Sequence, residues 1–134
     1  MGVMVAQKWT QNVIGVTRIN DRLIVVRLSI GKTILNLISV HAPQVGRSME
    51  DKEEFYIELR QVTEKIKEEE LIMICGDLNG HVGERVQGFE AVHGGRGFGV
   101  RNLEGELLLE FAEAHKLTVL NTWFVKEDTK KISY

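Results

Sequence analysis

A chain of 134 residues with 43% hydrophobic and 27% charged side chains is apolar enough for a folded core, burying roughly two thirds of its unfolded surface, and too apolar to stay disordered. One cysteine rules out an internal disulfide framework. No run approaches the ~20 apolar residues of a membrane span, so no membrane partner is expected. The net charge of −2 hides a gradient: residues 1–48 carry six bases (Lys8, Arg18, Arg22, Arg27, Lys32, Arg47) against Asp21, while residues 49–70 carry nine acids against four bases. That asymmetry is compatible with a basic face for a polyanion, and equally with solvated strand edges. Met1-Gly-Val-Met-Val lacks the basic start and long apolar stretch of a signal peptide, so an intracellular address is expected, the nucleus included.

In chain order, Val13 to His41 reads as an antiparallel meander of three strands with Asn20-Asp21 and Gly31-Lys32 at the turns. In the third, Thr33 to His41, Ile34, Ile38 and Val40 lie on one face and Leu35 and Leu37 on the other, which predicts a sheet covered on both sides. The sole proline, Pro43, ends that strand. Asp51 to Glu70 reads as a helix whose apolar face carries Phe55, Leu59, Val62 and Ile66. It leads into Leu71-Ile-Met-Ile-Cys75, an unbroken apolar run of the kind a doubly buried strand shows, in which Cys75 reads as a buried, inert thiol. Strand, helix, strand in that order predicts a parallel pairing with a right-handed crossover.

Nine of the thirteen glycines lie between Gly76 and Gly105, and no regular structure is expected there. A second helix is predicted from Leu103 to His115, with Leu107, Leu108, Phe111 and Ala112 on its apolar side and Asn102 as its cap. Lys116 to Leu120 reads as a further short strand. Neither a linker nor an internal repeat interrupts the chain, so 1–134 reads as a single domain.

Chemistry gathers where the apolar run stops. In Ile74-Cys-Gly-Asp-Leu-Asn79 a carboxylate stands where a buried strand emerges, and in an extended backbone Asp77 and Asn79 would project to the same side. The Asp can serve as a base or metal ligand while the Asn supplies a neutral donor to a phosphate oxygen. On spacing alone the same residues also read as an Asx-rich turn. An EF-hand fails, because its sixth position would be Val82 and its twelfth Gly88. Gly97-x-Gly99-x-x-Asn102 is no dinucleotide fingerprint, and no Gly-Lys-Ser/Thr phosphate loop exists. His41, His81, His93 and His115 show no zinc-ligand spacing. His115 suits a helix C-terminus, His81 and His93 read as solvated loop residues, and His41 ends its strand as Asp77 does, so the two are candidates to share one rim.

Three stretches together, Ser39-Val-His-Ala-Pro-Gln44, Ile74-Cys-Gly-Asp-Leu-Asn79 and Asn121-Thr-Trp-Phe124, resemble the endonuclease/exonuclease/phosphatase superfamily, most closely the endonuclease domains of non-LTR retrotransposons. The likeness runs from Val3 to Tyr134. It implies a four-layer α/β sandwich, with two sheets face to face and helices outside, that hydrolyses DNA phosphodiester bonds with magnesium. It further implies that Asp77 orients or deprotonates the attacking water and contacts the metal, and that Asn79 binds the scissile phosphate. His41 falls where the family usually has a tyrosine whose hydroxyl touches the phosphate; imidazole can also donate, with shorter reach.

The family's metal-binding Glu and an Asn would lie upstream of Met1, and its closing Ser-Asp-His block downstream of Tyr134. On that reading the chain is the central portion of the domain, with weak metal binding and impaired or absent catalysis, since losing one charge-stabilising donor can cost ~10²–10³ in rate. It would then be an endonuclease-like domain, or a non-catalytic module binding nucleic acid or protein. An interrupted sheet leaves unpaired edges, so self-association is expected.

Overall fold

Three runs rich in β-branched and aliphatic residues, Val13–Arg18, Leu23–Ile30 and Thr33–His41, form strands β1, β2 and β3. The turns fall where the punctuating residues predict. In the first, the Asn20 side chain accepts from the Arg22 amide at 2.8 Å; in the second, Gly31 adopts φ +59°, a conformation glycine takes without penalty. Leu71–Asp77 forms β4, which pairs with β3 in parallel to give a mixed sheet in the order β1-β2-β3-β4. A computed structural model describes residues 1–130, so the end of the stretch that carries the resemblance, at Tyr134, lies outside the described residues. The fold is mixed α/β, and the chain divides into two compact units, one through Leu78 and the other from Asn79 onward.

In the first unit the two faces of the sheet acquire different cover. Ile24, Val26 and Leu28 cluster with Leu35 and Leu37 on one face, where Val3 and Val5 of the N-terminal segment pack. Leu23, Val25, Ile38 and Val40 are buried on the opposite face. Helix α1, Met49–Glu64, buries Phe55 and Leu59 and takes no part in the first cluster. Ser48 caps it by accepting from the Asp51 amide at 3.2 Å, and Glu50 and Asp51 suit the positive end of its dipole. Asn20 of the first turn donates to Glu58 of α1 at 2.7 Å.

Two expectations change here. The helix ends at Glu64, well short of Glu70, because Glu70 is taken by the sheet: its carboxylate accepts from Asn36 at 2.8 Å and from Arg27 at 3.0 Å. The hydrogen bond from Asn36, reinforced by the Arg27 guanidinium, holds the Glu70 carboxyl below the usual carboxylate range. Further, β4 is not buried on both faces. Leu71 and Met73 remain 54% and 46% exposed and Cys75 is exposed, because β4 is the edge of the described sheet and lies beyond the reach of the Val3 and Val5 cover. Partial desolvation still raises the Cys75 thiol above its ordinary value.

In the second unit, residues 79–102 carry no helix or strand, as the glycines predict. Asn102 caps helix α2, Leu103–Ala114, by accepting from the Gly105 amide at 2.8 Å. Its buried face centres on Leu109, Phe111 and Ala112, with Leu107 and Leu108 only partly covered. Leu109 and Ala112 form a core with Phe89 and Val92, joined by Val82, Leu117 and Val119. The strand expected over Lys116 to Leu120 does not form. Lys116 takes a left-handed φ of +55°, and the Leu117 amide turns back to the Ala112 carbonyl at 2.7 Å, closing α2 in a Schellman-type cap. The Leu117 and Val119 alternation that mimics a strand instead drops both side chains onto the α2 core.

Candidate functional site

Within the first unit the parallel register sets His41 directly opposite Asp77 at the carboxyl ends of β3 and β4. That is the end at which open α/β sheets present groups to ligands. The ladder continues one step further, with the Ala42 amide donating to the Asp77 carbonyl at 2.8 Å. On the other side of His41, its amide donates to the Arg22 carbonyl at 3.0 Å, and the Arg22 guanidinium donates to the His41 carbonyl at 3.0 Å. An exposed carboxylate, an exposed imidazole and a guanidinium therefore occupy neighbouring strand ends.

Gly76 makes this approach possible. It holds φ +129°, and a Cβ there would fall inside the Val40 carbonyl oxygen of the adjacent strand. Only glycine lets β4 pair so closely with β3 one residue before Asp77. The arrangement can take a proton onto the carboxylate and donate hydrogen bonds to an anion from the imidazole and guanidinium.

Asn79 belongs to the second unit and has φ +48°, a left-handed conformation that Asn tolerates better than most residues. Regular strand geometry stops at Asp77, so the two-residue alternation behind the expectation for Asn79 stops there too. His81 is exposed as expected, while its backbone is fixed: its amide donates to the Asn102 side chain at 3.0 Å and its carbonyl accepts from the Asn102 amide at 3.1 Å. His115 caps the end of α2 with its ring 4.3 Å from that of Phe111.

His93 overturns its expectation, being only 1% exposed. Its Nδ1 accepts from the Gly95 amide at 2.9 Å, so Nε2 carries the proton and donates to the Gly83 carbonyl at 2.9 Å. Burial, the larger influence, lowers its pKa from the ordinary value, which keeps this neutral tautomer in place. Arg101 went unmarked in the sequence: it donates to the Val82 carbonyl at 3.0 Å and to the Arg85 carbonyl, pairs with Glu106 at 3.2 Å, and lies 4.8 Å above the Phe89 ring. Three of these four partners lie twelve or more residues away, where no local spacing rule reaches.

Among the described residues no three His, Cys, Asp or Glu side chains gather as a metal cage. Magnesium prefers a near-octahedral oxygen shell, whereas this rim offers one carboxylate and an imidazole nitrogen better matched to softer ions. The described donors do not by themselves fit a magnesium site.

Fold and rim together define a mixed α/β protein with ionisable groups at the carboxyl ends of two parallel strands. The chain is similar to craniofacial development protein 2 of Bos taurus, with 31% identity over 122 residues, covering 90% of this chain and 20% of that protein. Against craniofacial development protein 2 of Tragulus javanicus the identity is 30% over 122 residues, covering 90% of this chain and 21% of that protein. The chain thus spans about a fifth of the length of the curated relatives it matches. No family model matches it, and no solved structure does.

Proposed function

We propose that this chain is an endonuclease-like domain related to magnesium-dependent phosphodiester hydrolases acting on DNA, with catalysis weak or absent in this segment alone. The observation that carries the reading is the β3–β4 register, which sets His41 and Asp77 side by side at the ligand-facing strand ends. The similarity to craniofacial development protein 2 and the three sequence stretches support it. In this reading the four-stranded sheet is one sheet of a four-layer sandwich. Asp77 accepts the proton of the attacking water and is the carboxylate this segment directs toward a metal. His41 donates to the phosphate in place of the usual tyrosine, and Asn79 has the role of a neutral donor to the scissile phosphate. The exposed edge of β4 pairs with a second copy of the chain.

The test is nicking of supercoiled plasmid with added magnesium by the wild type and by Asp77→Ala. Slow nicking that disappears in the variant is expected; equal nicking by both removes Asp77 from the mechanism.

A second reading, a non-catalytic module that binds nucleic acid or protein, is favoured by the Arg22 guanidinium held against the His41 carbonyl. It predicts no nicking by either protein, with magnesium-independent DNA binding that weakens steeply as salt rises.

A further inference from the structure

The second unit holds a cavity of about 280 Å³ lined by Glu84, Gly95, Arg96, Gly97, Val125 and Lys126. Its floor is bare backbone: a Cβ on Gly97 would overlap the Gly83 carbonyl and approach the His93 ring. The floor is held from below, since neutral His93 ties Gly83 to Gly95 through its two ring nitrogens. The Arg96 amide is anchored to the Thr122 carbonyl at 2.9 Å, and Arg96, an exposed cation, lines the cavity. Lys126 supplies a second exposed cation, and the one acid, Glu84, accepts from the Gly99 amide at 3.3 Å. Charge at the cavity is thus net positive.

An aromatic ring lies over Gly94, the chain neighbour of the lining residue Gly95. Trp123 lies so close over Gly94 that a Cβ there would enter its ring, and its indole N–H donates to the Val92 carbonyl at 3.3 Å. The ring is fixed in orientation yet 46% exposed. A positively charged hollow beside a fixed, half-exposed indole matches the chemistry of single-stranded polynucleotides, whose phosphates seek cations and whose bases stack on aromatic faces.

We propose that this cavity seats a backbone phosphate of a single-stranded nucleic acid, held by Arg96 and Lys126, with the neighbouring base stacked on Trp123. The proposal deepens the nucleic-acid reading above by naming a partner surface, and it uses none of the strand-end residues.

The test titrates a fluorescein-labelled 12-nucleotide thymidine strand into Trp9→Phe protein, in which Trp123 is the sole tryptophan. Polarisation should rise together with quenching of the indole. Arg96→Gln/Lys126→Gln, which alters only exposed side chains, should weaken binding at least about tenfold and flatten the log–log salt slope by about 0.7, the share of one phosphate contact on a single strand. Its circular dichroism should match that of the parent. Unchanged affinity and slope, absence of quenching, or saturation by inorganic phosphate without oligonucleotide binding would each overturn the proposal. Asp77→Ala should bind the oligonucleotide normally; loss of binding in that variant would move the ligand to the strand ends and also overturn it. Loss of plasmid nicking with oligonucleotide binding intact bears on Asp77 alone.

Discussion

Replacing Gly76 by alanine tests whether the strand pairing that sets Asp77 beside His41 depends on a missing side chain. At φ +129° an alanine carries a backbone penalty of about 1–3 kcal/mol. Its Cβ would also enter the Val40 carbonyl oxygen, so β4 must lift from β3 at this point. Lifting breaks the bond from the Ala42 amide to the Asp77 carbonyl and strains its neighbours in the ladder, at about 0.5–1.5 kcal/mol for each bond lost. Together these terms come to about 1.5–4.5 kcal/mol for one bond lost, a large share of a typical total of about 5–15 kcal/mol. At about 4 °C per kcal/mol for a unit of this size, Tm should fall by roughly 6–18 °C. Thermal melts followed by circular dichroism would measure it, with Gly46→Ala as the control, because a Cβ at Gly46 meets nothing within 4 Å. A Gly76→Ala protein melting within about 3 °C of wild type would refute the steric argument, and with it the account of how Asp77 is positioned.

Other perturbations probe separate parts of the chain. Because burial lowers the folded pKa of His93 from 6.5, its contribution is fully present above that pH and is lost as pH falls through the lowered value. Melting curves should therefore show Tm declining below about pH 6.5, and His93→Leu should lose about 1–3 kcal/mol at pH 7.5 for the unpartnered Gly83 carbonyl while flattening the decline; a wild-type Tm level from pH 7.5 to 5 would contradict this. Glu70, whose folded pKa is lowered from 4.5, adds a second loss at lower pH, which Glu70→Gln should remove. Lys116→Gly should relieve the left-handed φ of +55° and stabilise by about 0.5–1 kcal/mol in chemical denaturation. Met73→Lys puts a charge on the exposed face of β4 and should shift sedimentation toward monomer; a wild-type chain already monomeric at high concentration would count against pairing through that strand.

Local chemistry announced most of the framework. Asn20-Asp21 and Gly31-Lys32 punctuate the meander where the chain turns, and Ser48 and Asn102 start the two helices, because turns and caps are decided by the residues within them. The end of α1 was not legible for the opposite reason: Glu70 leaves the helix for Asn36 and Arg27, partners 34 and 43 residues earlier in sequence. Burial of Cys75 failed similarly, since an apolar run specifies a strand but cannot specify whether another layer covers each face. His93 misled because a lone histidine among glycines has no periodicity, and only the folded loop brings the Gly83 carbonyl to it.

The rim was legible to the extent that it follows from topology. A strand, an amphipathic helix and a second apolar run predict parallel pairing, and parallel pairing brings two carboxyl ends to one edge, so the adjacency of His41 and Asp77 follows from element order more than from either residue. Asn79 was a different inference, extending strand alternation past the end of the strand. The Asn79-Gly80 pair warned against it, because that dipeptide favours the left-handed turn that Asn79 adopts. The two candidate residues therefore rest on unlike grounds: Asp77 is held by a ladder that Gly76 permits, whereas the role of Asn79 depends on resemblance. Variants at the two positions should separate these grounds, with Asp77→Ala acting at the strand end and Asn79→Gly keeping the left-handed turn while removing the carboxamide. If Asn79→Gly nicks and binds DNA as the wild type does, the assignment of the carboxamide to phosphate binding loses its support, whereas the ladder argument for Asp77 is untouched.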